Sequence, residues 1–212
     1  MDDKTPSGEA PPIDAPPLNV GDQIDLTIDD MAFGGEGVGR VDGFVVFVPF
    51  VITGETVRVK ITERKKDFAR GVPLEVRQSS ADRVEPRCEH FGHCGGCQYQ
   101  HINYSAQPAI KLAQVRNLFE RLGGFSGGLV GELIPCPEPF NYRNRIMVRR
   151  QWNKLTQRAS YGFLRWDNRL VVDVERCEIA EEALNEQLTA MRADPPPRNM
   201  QKVVLRMMPD EW

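Results

Sequence analysis

Four of the five cysteines stand in a pattern, Cys88-x5-Cys94-x2-Cys97 and, far along the chain, Cys177, while Cys136 stands apart. No other feature restricts the fold as strongly. Only Gly95-Gly96 separates Cys94 from Cys97, a turn short enough for both sulfurs to reach one metal centre, and Cys88 can fold back onto it. Closure by Cys177 would pin a strand of the second half of the chain to this loop, so metal-binding free energy becomes folding free energy for both segments. The odd number of cysteines and the absence of a secretion signal disfavour a disulfide framework. A structural zinc ion and an iron-sulfur cluster are both served by three clustered thiolates and a distant one, and spacing alone does not separate them.

The 212 residues suffice for two small units, each with a modest core. Residues 1–17, MDDKTPSGEAPPIDAPP, are rich in Pro and acids and nearly lack large apolar side chains, and they read as a disordered acidic leader. No run approaches the ~20 apolar residues of a membrane span, and no cleavable signal precedes the folded part, so the expected location is cytoplasmic, away from membranes. Residues 18–79 read as a barrel of up to five strands, with Gln23 to Ile28, Phe44 to Val48, Thr56 to Ile61 and Val72 to Val76 as runs of strand type. Asp42-Gly43 marks a tight hairpin before Phe44, because both positions tolerate positive φ. In Val57-Arg58-Val59-Lys60-Ile61 the apolar residues share one face and the bases the other, so that Arg58 and Lys60 could meet phosphate.

Residues 80–212 read as a second, α+β unit. Ser105 to Leu122 is a predicted helix with Val115, Leu118, Phe119 and Leu122 at helical spacing, ended by Gly123-Gly124. Strands are expected at Arg145 to Arg150, Ser160 to Leu164, Arg169 to Val174 and Lys202 to Met207. A second helix is expected at Glu181 to Arg192, with Leu184, Leu188 and Met191 in line. The net charge of −3 is unevenly spread: from Asn141 to Leu170 eight bases face the single acid Asp167. Such a local cluster is what phosphate binding needs, against the ordinary alternative of a solvated surface. It includes Arg143, Arg145, Arg149 and Arg165.

The segment Pro86-Arg87-Cys88-Glu89-His90-Phe91-Gly92-His93-Cys94-Gly95-Gly96-Cys97-Gln98-Tyr99-Gln100-His101 is similar to the iron-sulfur segment of the 23S rRNA (uracil-5-)-methyltransferase family. Phe33-Gly34-Gly35-Glu36-Gly37-Val38-Gly39-Arg40 and Phe47-Val48-Pro49-Phe50 before it resemble the signature of a TRAM domain, a small RNA-binding barrel. Tyr142-Arg143-Asn144-Arg145, Gly162-Phe163 and Val171-Val172-Asp173-Val174-Glu175-Arg176-Cys177 resemble the family's central domain. The resemblance runs from Val20 to Met207. It implies a β-rich α+β chain, in which a five-stranded OB-like TRAM barrel is followed by a small α+β iron-sulfur domain. It implies that Cys88, Cys94, Cys97 and Cys177 hold a 4Fe-4S cluster, with His90 and His93 as loop residues, and that Arg40 joins the candidate RNA contacts.

The same resemblance implies methyl transfer from S-adenosyl-L-methionine to C5 of a uracil in 23S rRNA, through a cysteine thiolate that attacks C6. That machinery is expected in a domain beyond residue 212, so the chain is expected to bind RNA as a monomer without itself methylating. The Gly34 to Gly39 run is followed by a hairpin where dinucleotide binding would need a helix, and it reads instead as a tight turn that lets backbone approach RNA. Cys136, between Pro135 and Pro137, has no histidine near it in sequence and reads as structural. Phe33, Phe44, Phe47 and Phe50 read mostly as barrel core, with stacking on bases as the alternative. TRAM domains also occur in radical-SAM methylthiotransferases, whose Cys-x3-Cys-x2-Cys loop is absent here. Two other readings are a tRNA uracil-5-methyltransferase fragment and a stand-alone TRAM-type RNA-binding protein with a structural zinc or 4Fe-4S site.

Overall fold

The computed structural model describes residues 18–154 and 157–207, so the leader expected at residues 1–17 lies outside the described residues. The described residues divide into two compact units, one with residues 18–32 and 36–80, the other with residues 33–35 and the described residues from 81 on.

In the first unit the hairpin signal at Asp42-Gly43 is realised with φ of 48° and 83°, and it joins β3 (Glu36–Val41) to β4 (Phe44–Pro49). Around it lie β1 (Gln23–Thr27), β2 (Asp30–Met31), β5 (Thr56–Arg64) and β6 (Phe68–Gln78). The order across the sheet is β1-β5-β6-β4-β3-β2, with β4 and β6 parallel and the other pairs antiparallel. Breaks of register between β5 and β6 let these long strands bend, and the sheet curls around one core. The alternation read in β5 holds, with Val57, Val59 and Ile61 fully buried, Arg58 half-buried and Lys60 exposed. They pack with Leu26, Ile28, Phe44, Val46, Val48 and Val51.

The glycine-rich run does not form one turn. Gly34 and Gly35, with φ of 100° and 94°, turn the chain, but Gly37 and Gly39 lie inside β3. A Cβ at Gly37 would run into the Val51 and Ile28 side chains, and one at Gly39 into the Thr27 carbonyl and Leu26. Glycine is needed here for close packing of β3 on the core and on β1. The sheet therefore has six strands where a barrel of up to five was expected, and β2 and β3 add to the four runs that read as strands. Phe44 is core, whereas Phe33 stands exposed.

The second unit holds a four-stranded antiparallel sheet in the order β10-β7-β8-β9, made of β7 (Arg145–Asn153), β8 (Arg158–Leu164), β9 (Val171–Asp173) and β10 (Lys202–Arg206). On one face lies α2 (Glu182–Ala193), whose Leu184 and Leu188 are fully buried against Ile146 and Val148, with Met191 beside them as its spacing predicts. The Arg192 guanidinium, near the C-terminal end of α2, donates to both carboxylate oxygens of Asp173 at 2.7 and 3.1 Å and to the Tyr161 carbonyl at 3.1 Å. It ties the helix to β8 and β9.

The other helix, α1 (Gln107–Arg121), departs from expectation. Its predicted apolar line is not a buried face: Phe119 and Leu122 are exposed, and Gln114 is the helix residue that is buried. The chain turns back after Gly123-Gly124, so that Phe125 packs on Phe119 with ring centroids 6.2 Å apart, and the Glu120 carboxylate accepts from the Gly127 N–H at 3.1 Å. Helical spacing foretold the helix but not which face it buries.

Candidate metal centre and basic sheet face

The cysteine loop is built from short backbone turns. The Cys88 carbonyl accepts from Phe91 N–H at 3.0 Å, and the His90 carbonyl accepts from His93 and Cys94 N–H at 3.1 and 2.8 Å, which folds Cys88 back toward Cys94. Gly95 N–H donates to the Leu164 carbonyl at 2.9 Å, and a Cβ on Gly95 would press on the Leu164 and Arg165 carbonyls. The absence of a side chain lets the loop lie on the end of β8. On the distal segment, Cys177 N–H donates to Asn185 Oδ1 of α2 at 2.9 Å, while Asn185 Nδ2 donates back to the Cys177 carbonyl at 3.3 Å. An ion pair of 2.7 Å joins Arg87, the neighbour of Cys88, to Glu178, the neighbour of Cys177. Side chains beside the cysteines thus hold the two distant segments together.

Cys88, Cys94, Cys97 and Cys177 line one small cavity, with His90, Gln100 and Arg143 also in its wall. Gly96 N–H points at Cys94 Sγ at 3.4 Å, and Gln100 Nε2 donates to Cys97 Sγ at 3.2 Å while its Oε1 accepts from Cys88 N–H at 3.1 Å. Burial pushes the Cys94 thiol up to about 11, and the nearby sulfur charges add to the effect against the Gly96 N–H. Burial likewise raises Cys88 and Cys97 above the ordinary thiol value, partly opposed at Cys97 by Gln100 and the Arg143 charge. Several thiolates cannot share this space as bare anions, and a metal cation is the counter-charge that deprotonates them outright. Four sulfur donors with N–H groups aimed at two of them fit such a group. Among the described residues, however, no three His, Cys, Asp or Glu side chains are grouped as they would be around a metal ion. The four cysteines share the wall of one cavity. His93 is exposed, and Cys136 is exposed with its Sγ near the Glu138 carbonyl at 3.1 Å and is not in the wall of the sulfur cavity.

The candidate RNA contacts fall into three groups. In the first unit Arg40 pairs with Asp29 at 3.3 Å and Arg58 with Asp25 at 2.9 Å, while Lys60 is exposed. In the second unit Arg143 and Arg165 sit by the cysteine loop: Arg143 lines the sulfur cavity and reaches the Gly96 carbonyl at 3.5 Å, and Arg165 bridges to Cys94 by backbone and lies 3.7 Å from Asp167. Arg145 and Arg149 lie in β7 on the face opposite Ile146 and Val148. Their antiparallel partners on β10 are Arg206 and Lys202. Four cations therefore form a grid on the outer face of the sheet, with half-exposed Met147 and Val204 between them. Lys202 and Arg206 were not read as contacts from sequence, yet their alternation with Val203 and Leu205 would have placed them once β10 was paired with β7.

The TRAM domain family matches residues 17–74. An RNA methyltransferase of Aquifex aeolicus is 37% identical over 169 residues, covering 80% of this chain and 38% of its own length. Another, from Halalkalibacterium halodurans, is 35% identical over 78% of this chain and 36% of its own length. The chain thus spans less than two-fifths of either of these relatives. A solved structure, the tRNA (uracil-54, C5)-methyltransferase of Pyrococcus abyssi in complex with S-adenosyl-L-homocysteine, is 24% identical with a TM-score of 0.53, covering 85% of this chain and 42% of that one, and shares the fold. The chain thus carries a TRAM domain in its first unit and is similar, over about four-fifths of its length, to proteins named RNA methyltransferase.

Proposed function

We propose that this chain is the RNA-binding and iron-sulfur part of an RNA (uracil-5-)-methyltransferase that makes 5-methyluridine in 23S rRNA. The observation that carries the reading is the meeting of Cys88, Cys94, Cys97 and Cys177 in one cavity, in a chain whose relatives are named RNA methyltransferases. The choice of a 4Fe-4S cluster over zinc is supported by the similarity of the Pro86–His101 segment to the iron-sulfur segment of the 23S rRNA (uracil-5-)-methyltransferase family. The cluster would act as a clasp between the loop and the Cys177 segment, and the chain's own residues orient it: Gly96 and Gln100 by N–H donation to sulfur, Asn185 by fixing Cys177.

RNA binding is supported by the TRAM domain and by the grid of Arg145, Arg149, Lys202 and Arg206. Methyl transfer from S-adenosyl-L-methionine is assigned to the part of such a protein that this chain does not span. The Pyrococcus abyssi neighbour acts on tRNA, so the test compares both RNAs.

Anaerobic purification followed by metal analysis and visible absorption should give a brown protein with four irons per chain. A colourless protein with one zinc overturns the cluster. Cys177→Ala should lose the metal, and full retention would mean that the ligand set is wrong. Affinity for a 23S rRNA fragment should exceed that for tRNA, and its logarithm should fall linearly with log salt, with a smaller slope in the Arg145→Ala/Arg149→Ala variant. Tighter binding of tRNA would reassign the substrate, and weak binding that does not respond to salt would return the grid to ordinary surface.

A further inference from the structure

The second unit holds another cavity beside the cysteine loop. It measures about 570 Å³, within the range of pockets for small organic ligands, with Gly96, Cys97, Gln100 and Arg143 in the walls of both cavities. Its lining is unusual for a structural void. Tyr99, Tyr104 and Phe140 present rings, and Lys111 and Arg143 bring positive charge. Cations already lie over two of the rings: the Lys111 ammonium is 5.4 Å from the Tyr99 centroid and the Arg87 guanidinium 4.7 Å from that of Phe140. Arg87 is paired with Glu178, so Lys111 and Arg143 are the cations set against the single acid Glu85 in the lining.

Two of the rings are held in place by hydrogen bonds. Tyr99 shares hydrogen bonds with the buried Gln114 of α1 at 3.0 and 3.1 Å, and the Tyr104 hydroxyl donates to the Cys136 carbonyl at 2.8 Å. Aromatic faces bind bases whatever their identity, and cations beside them meet the phosphate, which is how proteins hold unpaired nucleotides. A paired base cannot enter a pocket of this kind, since its faces are covered by its neighbours.

We propose that this pocket receives one unpaired nucleotide of the bound RNA, its base stacked against the Phe140 and Tyr104 rings and its phosphate beside Lys111. The inference rests on the RNA-binding reading above and adds a demand for a looped-out or single-stranded nucleotide near the cysteine site.

The test measures fluorescence anisotropy of the full chain with two labelled probes, a twelve-nucleotide single-stranded oligouridine and a fully paired RNA duplex of the same length. Phe140→Ala and, as a second variant on the exposed surface of α1, Lys111→Glu should each weaken oligouridine binding about tenfold and leave duplex binding within about twofold. Thermal unfolding identifies a variant that has failed to fold, in which case the other decides. If both variants bind oligouridine as the parent does, while Arg145→Ala/Arg149→Ala weakens both probes, the pocket proposal is overturned and the RNA reading stands. If the parent chain binds neither probe, both fail together.

Discussion

Gly39 and Glu55 show how single residues set the first unit. The Gly39 backbone lies against the Thr27 carbonyl, with no room for a Cβ between them. Gly39→Ala should therefore lower stability by about 1–3 kcal/mol, seen as a lower melting temperature of the chain, because the obstructing atom belongs to backbone and cannot swing away. Glu55 is fully buried, and its carboxylate accepts from Ile52 N–H at 2.9 Å and Ser80 N–H at 3.2 Å, fastening the turn before β5 to the chain after β6. Neither role was legible in the sequence. A glycine in a glycine-rich run reads as a turn, and a lone glutamate before a strand reads as solvated surface. Arg143 was visible as a base, but its position just before β7, hydrogen-bonded to the 178–181 segment, sets it in the wall of the sulfur cavity. The four cysteines were legible as a group because their spacing stands directly on the chain, and they line one cavity. Asn185, which holds Cys177, was not, since its partner lies across a helix start.

At the level of elements, periodicity identified β1, β4, β8, β10 and α2 nearly to their ends, and the starts of β5 and β7, which each run three residues further than expected. It missed β2 and β3, where two residues and a glycine-rich stretch give no alternation to read. β9 is shorter than expected because the chain turns at Asn168, with φ of 59°, and Arg169 N–H bonds Asp167 Oδ1 at 3.1 Å. The joint between α2 and β9 carries a pH dependence of known sign. Burial disfavours the Asp173 carboxylate, but the Arg192 guanidinium and the Tyr161 N–H outweigh it and lower its pKa below the ordinary value. The stabilisation is then present above the pKa of an unfolded Asp, about 3.9, and is lost as pH falls through the lower folded value. Asp173→Asn should cost about 1 kcal/mol or less at pH 7, since the Asp173 carboxylate is 47% exposed. Urea midpoints of variant and parent should converge near pH 2, and a gap that persists there would show that the charge is not the cause.

The whole chain carries a net charge of −3, yet the grid on the second sheet is positive, so an average over the molecule conceals the surface that matters for an anionic partner. Among the described residues no helix is long and apolar enough to cross a membrane. The position of β10 at the rim of its sheet has another effect. An unpaired strand edge is a template on which a second molecule can add a strand, and long apolar edges start aggregates. Here one rim strand, β9, has only three residues, and the other begins with Lys202 and ends with Arg206 around the apolar Val203-Val204-Leu205. The two cations repel an approaching copy of the same strand. Lys202→Val/Arg206→Val should therefore scatter light increasingly with concentration where the parent stays clear. The charges assigned to gripping RNA would thus also keep the protein from adhering to itself.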